Sequence, residues 1–449
     1  MSLAEISLTD ASGFPGHADR VLAPASEADL RAILVEANSN RIPVTILGSR
    51  TGITGGSMPR NGWAVSMEKF RRIEIFPGHA IAGAAVTLSD LQAAASPTNQ
   101  FYAPDPTEWT ASVGGTVNTN ASGSRSFRFG STRRHILGLR VLLMDGRLIE
   151  CRRGDAIDFP VPALPCPSTT KTTAGYPLQP GMDWIDLFCG SEGTLGVVVE
   201  ADLLLLPNPP LLLAGVVFFP SLDNALDAVD AWRSAPNLRM IEFVDRRSLE
   251  LVRSRYPEIP LDAQAALLIE SEEDAGVWVD RLESSHALIE ASWFGETARD
   301  RERFRVFRHA LPEAVNETVI RRGFMKLGSD FAVPIARCRE MTEYYLETLR
   351  DIWPGEYVLY GHIGDAHLHV NLMPATEEED HIGHDMMAAF ARHAVSLGGT
   401  VSAEHGLGKR KSHFLPLQFT RSEIEAMKTV KRRLDPHWLL GQGNLFPEA

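Results

Sequence analysis

A chain of 449 residues exceeds what one hydrophobic core serves, so two or three domains are expected. Hydrophobic residues form 44% and charged residues 22%, a globular balance, and the formal net charge of −13 argues against nucleic acid or anionic lipid as partners. The cysteines Cys151, Cys166, Cys189 and Cys338 make no C-x-x-C pair, which leaves iron–sulfur clusters, structural zinc and a disulfide framework unsupported and points to a reducing, cytoplasmic compartment.

Residues 26–40 are predicted to form a helix: Ser26 caps it, acidic residues follow, and Leu30, Ile33, Leu34 and Ala37 share one face. Residues 43–47 read as a buried strand entering a glycine-rich turn, and 65–67 and 73–76 as further short strands. A strand over 137–144 ends at Asp145-Gly146, a hairpin signal. The Pro-, Thr- and Gly-rich residues 152–182 read as a long surface excursion, and 195–206 as an apolar strand region. The prolines between 207 and 210 mark a boundary. Beyond it, strands over 212–219 and 265–269 alternate with helices over 222–232 and 272–282, which predicts a separate α/β cap layer. Residues 421–434 read as a helix that stops at Asp435-Pro436. Residues 1–19 carry acidic groups and no long apolar core, unlike a signal peptide, and no apolar run is long enough for a transmembrane segment.

Three small-residue motifs recur in this first half. Gly48-Ser49-Arg50-Thr51-Gly52-Ile53-Thr54-Gly55-Gly56 follows a strand. Its glycines permit positive φ and close approach to a phosphate, which exposed N–H groups and hydroxyls can then bind. It matches neither the Rossmann nor the P-loop pattern, and taken alone a plain turn explains it equally well. Ala103-Pro104-Asp105-Pro106, followed by Ser112-Val113-Gly114-Gly115-Thr116-Val117-Asn118-Thr119-Asn120-Ala121-Ser122-Gly123, suits backbone lying against a flat or charged ligand, or a long loop. Gly190-Ser191-Glu192-Gly193-Thr194-Leu195-Gly196-Val197-Val198 reads as a tight turn feeding a buried strand.

The second half concentrates histidine. In Gly361-His362-Ile363-Gly364-Asp365-Ala366-His367-Leu368-His369-Val370-Asn371, alternation puts His367, His369 and Asn371 on one face of a strand. His362 then lies at the end of the preceding strand, across a short turn. Ser402-Ala403-Glu404-His405-Gly406 follows later. Two imidazoles and a carboxylate, His362, His369 and Glu404, suit a divalent metal with open positions, such as Zn2+ or Mn2+. Such an ion could polarise a bound oxygen, and His405 could serve as general base. The competing reading is a set of hydrogen-bonded structural histidines.

Taken together, the order and spacing of these motifs, with Lys171-Thr172-Thr173-Ala174-Gly175-Tyr176, Asp145-Gly146 and Asp435-Pro436, resemble the p-cresol methylhydroxylase/vanillyl-alcohol oxidase superfamily (the PCMH type) of FAD enzymes. The branch resembled is that of the glycolate oxidase subunit, D-lactate dehydrogenase and D-2-hydroxyglutarate dehydrogenase, over roughly residues 17–446. The resemblance implies an α+β architecture: a PCMH-type FAD-binding domain of two α/β subdomains (residues 1–208), an α/β cap domain with an antiparallel sheet (209–415), and a C-terminal helical segment returning to the first domain (416–449). It implies FAD-dependent oxidation of a D-2-hydroxy acid at its CH–OH group, with hydride passing to flavin N5. The FAD contacts implied are Gly48, Ser49, Arg50, Thr51, Gly52, Gly55, Gly56, Pro104, Ser112, Gly114, Asn118, Ser122, Glu192, Gly196 and Val198. It also assigns His362, His369 and Glu404 to the metal, His405 to base catalysis, and Arg308 and Asn371 to the anionic substrate, with Lys326 a further cation for it.

The chain departs from the family at several points. Arg50 and Ser122 stand where glycine is usual, and Gly441-Gln442-Gly443-Asn444 replaces Asn-Pro-Gly-Lys. His367 replaces Asn, which raises the question of a further metal ligand, and Pro312 replaces the Thr of glutarate-specific enzymes. The Gly48 loop has no His or Cys to tether a flavin, so FAD is expected to be noncovalent. Expected partners are a small anionic 2-hydroxy acid, an electron-transfer flavoprotein or quinone as acceptor, and a second copy in a homodimer. Alternative readings are a flavin oxidase or glycolate oxidase subunit of the same fold, and a flavin-free metal hydrolase.

Overall fold

A computed structural model describes residues 6–446. Residues 1–5 and 447–449, at the outer ends of the first and third expected segments and including the start of the stretch read as unlike a signal peptide, lie outside the described residues.

The first helix is Glu27–Ser39, with Ser26 accepting from the Asp29 N–H at its start. Its buried face of Leu30, Leu34 and Ala37 packs on a three-stranded parallel sheet. That sheet comprises Arg20–Leu22, Trp63–Ser66 and Val44–Leu47, with the strand Trp63–Ser66 starting two residues before the predicted 65–67. Beside it lies a five-stranded antiparallel sheet in the order Leu148–Arg152, Ile136–Leu142, Val197–Leu204, His79–Gly83 and Ile73–Phe76. The Asp145-Gly146 signal is a hairpin turn, with Leu142 opposite Leu148.

The second half is built on a seven-stranded sheet, antiparallel throughout. Its order is Trp293–Gly295, Leu213–Phe219, Ala265–Ser271, Leu238–Asp245, Glu356–His362, His367–Met373 and Leu327–Gly328. Leu213–Phe219 is buried on both faces, as its continuous apolar run requires. Val217 and Phe219 pack with Trp232 of the helix Leu222–Trp232, whereas Val216 and Phe218 pack with Phe304 and Phe307 of the helix Ala298–Arg322. Helices on both faces make this an α/β layer despite the antiparallel strands.

Two regions differ from the sequence reading. Residues 153–183 contain no helix or strand, as expected, yet they do not stay on the surface: Lys171, Thr173, Tyr176 and Leu178 are buried. Their polar groups find partners inside, where Thr173 N–H donates to the Ser402 carbonyl and its hydroxyl meets that of Ser402, each at 2.8 Å. The small-residue run after Asp105 is also more than a loop, because Val113–Thr119 is helical.

The tail is tied to the first sheet. After the helix Arg421–Leu434, Val44 N–H donates to the Leu439 carbonyl and Gly441 N–H to the Val44 carbonyl, at 2.8 and 2.9 Å. The fully buried Lys431 ammonium secures this connection through Asp435 and the carbonyls of Thr194 and Leu440, all within 2.9 Å. Lys431→Met strands the Asp435 carboxylate and is expected to cost about 3–5 kcal/mol. Urea unfolding followed by tryptophan fluorescence checks this, and an unchanged midpoint would remove the clamp from the account.

Candidate active site

One cavity of about 760 Å³ runs between the two halves. Of the fifteen residues expected to touch FAD, twelve line it: Gly48, Ser49, Arg50, Thr51, Gly52, Gly56, Ser112, Gly114, Asn118, Ser122, Glu192 and Val198. Gly55, Pro104 and Gly196 do not. Gly55 turns back onto Phe14, Gly196 is needed where Val141 and Phe188 close over the strand, and Pro104 is buried behind the wall. Two glycines explain how this wall is assembled. A Cβ on Gly48 would lie 2.7 Å from the Ser112 hydroxyl, and one on Gly114 would lie 2.9 Å from Ala84. The loop at Gly48, the start of the helix Val113–Thr119 and the chain just after the strand His79–Gly83 therefore meet with no room for a side chain on either glycine.

This wall fits a bound dinucleotide. A Cβ on Gly52 or Gly193 would meet only open space. Asn118 lines the same cavity, and its buried Oδ1 has no hydrogen-bond partner among the described residues. Glu192, in left-handed backbone at φ 53°, accepts from the N–H groups of Leu407 and Gly408 at 2.7 and 2.6 Å, and burial raises its carboxyl to about 7. Asn444, from the tail that departs from the family pattern, donates to the carbonyls of Gly56 and Glu192 and accepts from Lys409. It thereby holds three segments of the wall together.

The opposite wall carries Arg308, Lys326, Asn371, His362, His369, Glu404 and His405. The hairpin Glu356–His362/His367–Met373 pairs His362 with His367 and Tyr360 with His369, so three imidazoles gather at one sheet end. Glu404 joins them from a separate loop. Donor atoms of His362, His367, His369 and Glu404 all lie within 4.8 Å of one another. His362 Nε2 is 3.1 Å from Glu404 Oε2, and its Nδ1 is 2.6 Å from Glu242 Oε1. His369 Nδ1 faces the Ser329 carbonyl at 2.9 Å. Glu404 Oε1 accepts from Ser122 at 2.9 Å and from the buried Lys171 ammonium.

Charge in this cluster is balanced by proximity. Burial alone would raise the Glu404 carboxyl, but His362 and Lys171 outweigh it and hold it well below the usual carboxylate range. Burial would likewise lower His362, but Glu242 and Glu404 carry it to about 9. Burial, reinforced by the neighbouring histidines, keeps His369 neutral. His405, stacked on His369 with ring centroids 5.5 Å apart, is pushed down by burial to about 4, with Asp330 opposing. Its Nδ1 is 3.4 Å from Asp330 Oδ1. Asp330 itself is a fully buried hub that also accepts from Ser402 Oγ and the backbone N–H groups of Glu404 and His405.

Arg308 is less available than the sequence suggested. Its Nε donates to Glu242 Oε2 at 3.1 Å and its Nη2 reaches Thr107 at 3.3 Å, so Glu242 links it to His362. Lys326 is half-buried and hydrogen-bonds to none of the described residues, and burial with the nearby Lys411 lowers it to about 8. Sequence reasoning passed over Glu242, Asp330 and Lys171. Glu242 and Lys171 had a signal: a carboxylate in the middle of the fully buried strand Leu238–Asp245, and a lysine within a quoted motif.

Residues 18–152 match the family model described as FAD binding domain, and residues 212–445 match that of FAD linked oxidases, C-terminal domain. A D-lactate dehydrogenase of Archaeoglobus fulgidus is 30% identical over 95% of this chain and 90% of its own length. A D-2-hydroxyglutarate dehydrogenase of Xanthomonas citri pv. viticola is 30% identical over 94% and 88%, and the glycolate oxidase subunit GlcD of Bacillus subtilis 29% over 95% and 89%. Among solved structures, an alkyldihydroxyacetonephosphate synthase superposes with a TM-score of 0.66 over 96% of this chain and 77% of that one, at 14% identity, a likeness of fold alone. Among the described residues no helix is long and apolar enough to cross a membrane. Two family models spanning both halves, and near-full-length similarity at 30% identity, establish that this chain belongs to the FAD-linked oxidases of the PCMH type.

Proposed function

We propose that this enzyme dehydrogenates a D-2-hydroxy acid to the 2-oxo acid, using noncovalent FAD and a divalent metal. The observation that carries this reading is that the imidazole–carboxylate cluster and His405 line the same cavity as the glycine-rich wall. When bound, FAD supplies a hydride acceptor at N5, and a divalent ion supplies chelation and acidification of the substrate hydroxyl. The remaining work belongs to the chain. The N–H groups of the Gly48–Gly52 turn and Gly56 would hold the pyrophosphate, and Ser112, Asn118 and Glu192 would supply further contacts to the cofactor. His362, His369 and Glu404 would hold the ion. Neutral His405 takes the hydroxyl proton, and Asp330 positions it for that role. Loss of that proton and of hydride from C2 leaves the 2-oxo acid. Lys326, Asn371 and the Glu242-braced Arg308 orient the substrate anion. Pro312, also on the cavity wall, offers no hydroxyl to a longer diacid.

Anaerobic addition of D- and L-2-hydroxy acids tests this reading. A D-enantiomer should bleach the flavin without NAD, whereas a protein that holds no flavin, or a flavin bleached by no 2-hydroxy acid, contradicts it. Lys326 makes the reading pH-dependent. With its pKa lowered to about 8, it is cationic below that pH and neutral above it, so substrate affinity should fall as pH rises through 8. Lys326→Met should raise KM by roughly 10- to 100-fold, the value of a charge-assisted hydrogen bond, and flatten that alkaline limb. An alkaline limb unchanged in the variant assigns the titration elsewhere.

A further inference from the structure

We propose that His367 is a fourth protein ligand, so that this chain holds its metal with three imidazoles and one carboxylate and selects an ion that accepts six ligands. The inference rests on the metal reading above and extends it. Each of the three histidines has one ring nitrogen set against an outer acceptor: His362 Nδ1 against Glu242 at 2.6 Å, His369 Nδ1 against the Ser329 carbonyl at 2.9 Å, and His367 Nε2 against Asp330 Oδ1 at 3.2 Å. Those acceptors can each take the N–H of the outward nitrogen, which leaves the inward nitrogen to ligate once an ion displaces the proton that Glu404, 3.1 Å away, favours on His362 Nε2, the arrangement by which outer partners orient metal-binding histidines. The inward nitrogen of His367 is Nδ1, 4.0 Å from Glu404 Oε1, and His367 belongs to the mutually close donor set.

A purely structural histidine would be expected to satisfy its ring through hydrogen bonds. His367 is 0% exposed, yet its inward Nδ1 has no hydrogen-bond partner among the described residues, and Nε2 has only the 3.2 Å approach to Asp330 Oδ1. A buried, unsatisfied imidazole pointing among two other imidazoles and a carboxylate is explained by a cation at their centre. The ligand count then constrains the ion. Four protein ligands close a tetrahedral Zn2+ site, leaving no position for substrate. An ion that accepts six keeps two positions, which matches the two oxygens a 2-hydroxy acid presents. Mn2+ and comparable six-coordinate ions meet this requirement.

The test uses chelator-treated, FAD-loaded protein titrated with Mn2+ alone, for the wild type, His367→Asn and His362→Asn. Wild type should bind Mn2+, and pulsed EPR should count three coordinated imidazoles. His367→Asn should bind at least about tenfold more weakly, with two imidazoles and an unchanged flavin content. Two imidazoles in the wild type, or wild-type affinity in His367→Asn, would overturn the fourth ligand while leaving the metal site standing. Wild-type affinity in His362→Asn as well would instead remove the metal reading beneath it. The imidazole count on wild type decides the matter even if a variant fails to fold.

Discussion

His405→Gln is expected to leave the protein yellow and metal-loaded while lowering kcat about 10²- to 10⁴-fold, the usual range for loss of a general base. His405 lines the cavity beside His369, and Asp330 faces its Nδ1, which leaves Nε2 as the atom able to accept a proton. Burial lowers the imidazole to about 4, so above that pH the ring is neutral and competent as a base, and below it the ring is protonated and incompetent. Flavin bleaching in a single turnover should therefore hold through neutral pH and decline near pH 4 in wild type. The residual rate of the variant should lack that decline. Asp330→Asn would produce a smaller loss with a shifted acid limb, because Asp330 acts through the imidazole. Wild-type bleaching by His405→Gln would show that the proton leaves by another route.

Removal of the metal is the second large effect. Chelation should slow bleaching by about 10²- to 10³-fold, the equivalent of several kcal/mol of lost electrophilic assistance, and Mn2+ should restore it. FAD should remain bound, because the residues expected to contact it are separate from the ion's ligands and meet them only where Ser122 donates to Glu404. Chelation is a cleaner test than Glu404→Gln. The Glu404 carboxylate also contacts the buried Lys171 ammonium, and removing it leaves that cation with Asp365 at 3.4 Å as its remaining close anion. Wild-type bleaching by metal-free protein would return the histidine cluster to a structural role.

The parts of this site that were legible in the sequence are those set by local pattern. Period-two alternation placed His367, His369 and Asn371 on one strand face, and the short turn after His362 brought that residue opposite them. Residues joined across long separations were not legible. Glu242 meets His362 and Lys171 meets Glu404 only through the tertiary fold, and composition sent the Lys171 segment to the surface when it crosses the interior. The helix Val113–Thr119 was hidden for a different reason. Gly114 and Gly115 are poor helix formers, and the helix is held by the Ser112 cap and by Val113 and Gly114 N–H groups donating to Val86 and Ala84. Tertiary hydrogen bonding overrides propensity there, at a place where close approach to Ala84 needs glycine at 114.

The most direct test of the central claim is a crystal structure of the protein with FAD, Mn2+ and the 2-hydroxy acid that bleaches it. The account predicts an anomalous peak among His362, His369 and Glu404, the acid bound to it, and C2 roughly 3–3.5 Å from flavin N5. An ion bound elsewhere, or an acid seated away from the flavin with His405 out of reach of its hydroxyl, would contradict it.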